Sequence, residues 1–189
     1  MPIIYKTYLF AAAILFHSCG QNNTLQENYI PKDNEPSVKP VIVDAQQPKV
    51  TINTGTTKPA ELIAYAKTLI GVPYKYGSLK PDEGFDCSGF ITYVFNHFNI
   101  AVPRSSVDFT YVKQEIPINQ AKPGDLILFT GTDSTKRVVG HMGILTQTGA
   151  EPVFIHSTSG KANGVTETPL NSYYQGRYVK TLRIFKGDY

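Results

Sequence analysis

Cys87 stands where a loop passes into a helix, and a thiol in that position can be activated as a nucleophile. The loop over residues 78–86 is rich in Gly, Pro and acidic residues, and the apolar residues that follow recur at helical spacing. Asp86 or Ser88 is the expected N-cap of that helix. Unpaired backbone N–H groups and the positive end of the helix dipole favour a thiolate in the first turn. The alternative is a cysteine that packs as a small buried hydrophobic residue.

A cysteine nucleophile usually needs a base, and histidine is the natural candidate. Of the four histidines, His17 lies in the N-terminal segment that is expected to be removed as an export signal. His97 lies on the predicted cysteine helix, about 15 Å from the thiol along its axis, and is expected at the surface. If residues 147–150 form a hairpin loop, His141 and His156 pair directly across two strands, with Cβ atoms about 5 Å apart. The sequence therefore predicts a histidine pair on one face of a sheet.

The set of Cys87, His141 and His156 has two chemical interpretations. A nucleophile, a base and a group that orients the base form one of them. The same side chains could instead bind zinc together with a fourth ligand. Their separations of 54 and 15 residues match no zinc module, so the nucleophilic site is favoured.

Length and charge bound the remaining possibilities. The chain has 189 residues, enough for one ordinary domain with extensions, and a formal net charge of +3. Its Lys and Arg residues form no dense cluster, so no nucleic-acid partner is expected. We expect a monomer.

The N-terminal part of the chain divides into an export signal and a tether. Residues 8–16 form an apolar run that is too short to span a bilayer and typical of a signal peptide. The segment 1–18 is similar to a bacterial lipoprotein signal, with Cys19 as the lipidated residue; an ordinary secretory signal is the alternative. A lipidated Cys19 would leave Cys87 as a free thiol. Residues 19–57 are rich in Asn, Gln, Thr, Pro and Lys, and are expected to be a flexible tether.

The folded domain is expected to span residues 58–189. Helices are predicted over residues 59–70 and from Cys87 to about Asn99. Beyond them the hydrophobic period changes to two, which predicts strands over 126–129, 141–146, 153–157, 165–168 and 178–185. Helices first and strands later indicate an α+β domain with a mostly antiparallel sheet.

Six stretches of this region are GVPYKYG at 71–77, FDCSGF at 85–90, VPRSS at 102–106, KPGDLILF at 122–129, GHMGI at 140–144 and FIHS at 154–157. In this order they resemble the NlpC/P60 family of cell-wall peptidases, which have a papain-like fold. The resemblance implies that Cys87 is the nucleophile, His141 the general base and His156 the third, orienting residue. It implies no metal and no cofactor.

The resemblance also implies residues that contact the substrate. Tyr74 matches a tyrosine whose hydroxyl helps to form the oxyanion and substrate site, and Tyr76 is the alternative for that hydroxyl. The backbone N–H of Ser88 would contribute to the oxyanion hole. Arg104 and Ser105 match a stretch that lies near the cleft.

The function implied by the resemblance is a cysteine endopeptidase that hydrolyses amide bonds in peptidoglycan stem peptides. The expected bond joins D-γ-glutamate to diaminopimelate, and the D-alanyl–diaminopimelate cross-link is the runner-up. Two alternative functions are a non-catalytic wall-binding module on the same fold and another acyl transfer at the same site. The expected location is the bacterial cell envelope, with the chain anchored by lipid on Cys19 at the outer membrane or on the periplasmic side.

Overall fold

The computed structural model describes residues 49–187, which begin with helices and end with a sheet. Helices α1 (Pro59–Lys67) and α2 (Cys87–His97) are separated by the short strands β1 (Leu79–Lys80) and β2 (Gly84–Phe85). Two 3₁₀ helices, Ser106–Tyr111 and Ile118–Gln120, flank β3 (Glu115–Ile116). The remaining elements are β4 (Leu126–Thr130), β5 (Val139–Gln147), β6 (Val153–Thr158), β7 (Gly164–Pro169), α3 (Ser172–Arg177) and β8 (Tyr178–Leu182).

The main sheet has six strands in the order β3-β8-β4-β5-β6-β7, and every neighbouring pair is antiparallel. This confirms the predicted α+β class. Each predicted strand is present, with ends that differ by up to three residues. The first helix ends at Lys67 rather than residue 70, and the last strand ends at Leu182 rather than residue 185.

Helix α2 is held against the sheet by its apolar stripe. Phe90, Ile91, Val94 and Phe95 are fully buried, and the helix packs against β5 and β6. Each such side chain contributes about 1.5–3 kcal/mol through its burial. The stripe therefore fixes the N-terminal end of α2, which carries Cys87, next to the strands that carry the histidines.

The packed part of the chain begins earlier than predicted. Val50 forms a parallel bridge with Val112, and Ile52 is buried and donates its backbone N–H to Gln114 Oε1 at 3.0 Å. Residues 50–52 are therefore part of the domain and not of a tether that runs to residue 57. A segment with two apolar residues is too short to show a strand period, and its partners follow some 60 residues later.

The signal segment 1–18, Cys19 and the tether as far as residue 48 lie outside the described residues. Within residues 49–187, no helix combines the length and the apolar character needed to cross a membrane.

Candidate active site

The N-terminus of α2 is built by a side-chain cap and a close backbone approach. Asp86 is the N-cap and accepts a hydrogen bond from the backbone N–H of Gly89. A Cβ on Gly89 would lie 2.1 Å from the carbonyl oxygen of Ser78, so only glycine lets this loop pack there. Cys87 follows the cap directly and is 9% exposed. The predicted position of the cysteine at a helix start is therefore confirmed, with Asp86 rather than Ser88 as the cap.

The two histidines meet within the sheet. His141 Nε2 lies 2.7 Å from His156 Nδ1, and both side chains are buried. Their strands do not pair as predicted, because Ile144 lies opposite Ile155, a shift of two residues from the expected register. A shift of two keeps both side chains on the same face, since strand side chains alternate with period two. The histidines are diagonal neighbours instead of a directly opposed pair.

Thr168 extends this pair on the next strand. Its Oγ1 lies 2.9 Å from His156 Nε2, so both ring nitrogens of His156 have a partner. If His141 Nε2–H donates to His156 Nδ1, then His156 Nε2–H donates to Thr168 and His141 Nδ1 is left as a proton acceptor. Thr168 was not among the site residues predicted from the sequence. The spacing of two residues between Thr166 and Thr168 places both on one face of β7, but the register between β6 and β7 could not be predicted from the sequence.

Cys87 lies where two cavities meet. The larger, of about 1110 Å³, is called here the His141 arm and is lined by His141, Thr168, Lys161 and Arg177. The smaller, of about 550 Å³, is called the Arg104 arm and is lined by Tyr76, Asp86, Ser88, Arg104 and Ser105. Tyr74, Cys87 and Gly140 line both arms. The cleft therefore brings together most of the predicted site residues, with His156 behind His141.

The position of Tyr74 distinguishes it from Tyr76. Tyr74 lines both arms together with Cys87, whereas Tyr76 lines one arm and is 88% exposed. Burial and the neighbouring Cys87 raise the pKa of Tyr74 above its ordinary value, so its hydroxyl keeps the proton and can donate. The geometry therefore favours Tyr74 as the hydroxyl beside the thiol.

Arg104 is tied to the helix start. It forms an ion pair with Asp86 at 3.1 Å and donates to Ser88 Oγ at 3.0 Å and to the Gly77 carbonyl at 2.9 Å. Through these bonds Arg104 connects the capping carboxylate of Asp86 to Ser88 and Gly77, which also line the Arg104 arm. The charges of Arg104 and Asp86 offset each other, and this arm has little net charge.

Burial determines the protonation of the site. It raises the pKa of Cys87 to about 11, assisted by Asp86 and opposed by the backbone N–H groups of Cys87 and Ser88. It lowers the pKa of His156 to about 3 and that of His141 well below the usual range, with the positive charge of Arg177 acting in the same direction. These shifts favour a neutral thiol and neutral imidazoles in the resting site. The helix-start N–H groups lower the pKa of Cys87 as expected, but burial raises it more, which disfavours the thiolate.

Across residues 49–187, no group of three His, Cys, Asp or Glu side chains is arranged to hold a metal ion. The histidine pair bonds to itself and to Thr168, and the thiol faces the Gly140 carbonyl at 3.9 Å. The histidine bonds form a chain from His141, which lines the same cavity as the thiol, to Thr168 on β7.

The fold and the cleft define a class of α+β domain in which a helix-start thiol and a buried histidine pair share one cavity. The chain belongs to the NlpC/P60 family, whose model matches residues 71–183. It is 35% identical over 136 residues to the gamma-DL-glutamyl hydrolase of Bacillus subtilis, a match that covers 72% of this chain and 32% of that protein. It is 30% identical over 119 residues to the murein DD-endopeptidase MepH of Escherichia coli, covering 61% and 42% of the two chains.

A solved structure shares this fold. An NlpC/P60 family protein from Bacillus cereus superposes with a TM-score of 0.61 at 29% identity, covering 69% of this chain and 41% of that one. The matched region thus spans less than half the length of each of these relatives.

Proposed function

We propose that this protein is a cysteine endopeptidase that hydrolyses amide bonds in peptidoglycan stem peptides. The observation that carries the proposal is the arrangement of Cys87 and His141 in one cavity, with His141 bonded to His156 at 2.7 Å. A nucleophile, a base and an orienting group are the parts that acyl transfer needs. The relative named a murein DD-endopeptidase supports peptide bonds of the cell wall as the substrate, and the relative named a gamma-DL-glutamyl hydrolase supports a γ-glutamyl bond.

In the first half of the reaction, Cys87 attacks the carbonyl carbon and its thiol proton passes to His141 Nδ1, the nitrogen that is not bonded to His156. The oxyanion accepts hydrogen bonds from the backbone N–H groups of Cys87 and Ser88 and from the Tyr74 hydroxyl. His141 then gives its proton to the leaving nitrogen. The C–N bond breaks, the amine departs, and a thioester remains on Cys87.

In the second half, water enters in place of the amine. His141 removes a proton from the water as its oxygen adds to the thioester carbonyl. The C–S bond then breaks, the thiolate of Cys87 takes the proton back from His141, and a carboxylic acid leaves. Because His156 Nδ1 accepts from His141 Nε2–H, the proton is taken up and released at His141 Nδ1 in both halves.

The bond we propose joins D-γ-glutamate to diaminopimelate. The relative named as a gamma-DL-glutamyl hydrolase supports the γ-glutamyl side of this bond. The relative named as a DD-endopeptidase supports the runner-up, the D-alanyl–diaminopimelate cross-link. In both bonds the leaving amine belongs to diaminopimelate.

The test is digestion of purified diaminopimelate-type peptidoglycan by the full chain in detergent, analysed by mass spectrometry beside Cys87→Ala. New termini at the γ-glutamyl bond that are absent with the variant are the expected result. New termini at the cross-link would select the runner-up. Retention of the protein on the wall without any cleavage would refute the proposed peptidase activity and favour a binding module.

We also propose that lipid on Cys19 anchors the protein in the cell envelope, at the outer membrane or on the periplasmic side. The apolar run before Cys19 supports this. Mass spectrometry of the mature N-terminus should find a diacylglyceryl cysteine, and Cys19→Ala should release the protein from membranes. A mature chain that begins at an unmodified residue would contradict the anchor.

A further inference from the structure

The two arms of the cleft differ in charge. Among the described residues, neither Asp nor Glu lines the His141 arm, whereas Lys161 and Arg177 both line it. In the Arg104 arm, Arg104 and Asp86 form an ion pair with each other. The His141 arm is therefore cationic, and the Arg104 arm is close to neutral.

Arg177 is a fixed and uncompensated charge in this arm. It is 7% exposed and donates to the carbonyls of Thr130 at 2.8 Å and Gly131 at 3.0 Å, and to the Tyr173 hydroxyl at 2.7 Å. These bonds satisfy N–H donors of the guanidinium, but the accepting oxygens are neutral and do not balance its positive charge. Neither Arg177 nor Lys161 forms an ion pair within the described part of the chain. A buried guanidinium without a carboxylate partner is costly, so an anionic ligand would be favoured here.

The chemistry of the site assigns each arm to one half of the substrate. His141 is the proposed general acid, so it must reach the leaving nitrogen. Of the two arms, it lines only the larger one, the His141 arm. The leaving-group half therefore enters the His141 arm. The acyl half lies in the Arg104 arm, beside Ser88. A cavity of about 1110 Å³ can hold a residue as large as a diamino acid.

We propose that the His141 arm binds a free carboxylate on the leaving-group residue through Lys161 and Arg177. In a stem peptide, this selects diaminopimelate with an ionised side-chain carboxylate over lysine, which lacks the carboxylate, and over amidated diaminopimelate. The proposal rests on the proposed peptidase function. It holds for either bond considered above, since diaminopimelate is the leaving residue in both.

The test is a binding measurement that needs no turnover. The full chain carrying Cys87→Ala is titrated by calorimetry with two L-Ala-γ-D-Glu-diaminopimelate-D-Ala peptides that differ in one group, a free or an amidated side-chain carboxylate. We expect the free acid to bind about tenfold more tightly, the effect of one charge-assisted hydrogen bond in a partly buried site. Adding Lys161→Gln should reduce this preference severalfold, and adding Lys161→Glu should abolish or reverse it.

Lys113→Glu is the matched control, because Lys113 is exposed and lines neither arm. It should leave the tenfold preference intact. Arg177 is not substituted, because its bonds hold the end of β4. Equal binding of the two peptides, binding of neither, or a preference that survives Lys161→Glu would overturn the proposal. Wall digestion that succeeds without a carboxylate preference would refute only the carboxylate site, and a preference without digestion would refute only the peptidase.

Discussion

The protonation state of Cys87 can be tested directly by the pH dependence of its alkylation. Burial raises the pKa of this thiol from 9.0 to about 11, although the backbone N–H groups at the helix start act in the opposite direction. A raised pKa means that the thiolate is the disfavoured form at neutral pH. Because iodoacetamide reacts with the thiolate, the rate of alkylation reports the population of this form.

The expected rates follow from the pKa. At pH 8, a thiol of pKa 11 is about 0.1% ionised, whereas one of pKa 9 is about 10% ionised, so Cys87 should react about 100-fold more slowly than an ordinary thiol. The rate should rise about tenfold per pH unit from pH 7 to pH 10. The measurement uses the Cys19→Ala chain, in which Cys87 is the remaining cysteine. Urea-unfolded protein provides the ordinary thiol for comparison.

A rate that reaches a plateau below pH 8 would refute this reasoning. It would mean that the helix start and a protonated His141 hold the thiolate in the resting site, and that desolvation is the smaller effect. The unfolded control should show its midpoint near pH 9 in either case, which separates a property of the folded site from a fault in the assay.

Three further results are expected. Acidification from pH 7 to pH 5 should lower the free energy of unfolding, measured in urea, because the pKa of His156 is about 3 in the fold and near 6.5 in the unfolded chain. The expected slope is up to about 1.4 kcal/mol per pH unit for each buried histidine. The variant His156→Asn should have a smaller slope. Thr168→Val leaves the His156 N–H unpaired and should lower kcat by about 5- to 100-fold with little change in KM. Thr168→Ser keeps a hydroxyl at this position and should retain most activity. Equal losses in the two variants would contradict the role of this hydrogen bond. Gly89→Ala places a Cβ 2.1 Å from the Ser78 carbonyl and should destabilise the fold by about 1–3 kcal/mol, while Gly176→Ala, with nothing within 4 Å, should change the urea midpoint little.

The local features of the site could be predicted from the sequence because they depend on neighbours in the chain. The apolar stripe after Cys87 and the capping carboxylate at Asp86 specify α2 within a dozen residues. The period-two pattern in the C-terminal half likewise specifies the strands. What these patterns leave open is how the strands align.

The histidine pair shows where that limit lies. Which face a strand residue occupies depends only on parity, so placing His141 and His156 on one face was within reach of the sequence. Which residues lie opposite each other depends on the turn and on the irregularity between Leu145 and Gln147, and the predicted register was wrong by two residues. The error leaves the chemistry unchanged, because a diagonal pair of imidazoles still reaches hydrogen-bonding distance.

The state of the thiol depends on the whole fold and was beyond the sequence. The helix dipole can be anticipated from where the helix begins, and it acts on Cys87 in the expected direction. The opposing desolvation comes from the burial of Cys87 in the folded domain, where its sulfur faces the carbonyl of Gly140, a residue far away in the chain. If the resting site is neutral, the nucleophile forms only when a bound substrate lets the proton move to His141. Binding in the two arms and activation of Cys87 are then parts of the same event, and a substrate residue that lacks the carboxylate should lower the rate of acylation as well as the affinity.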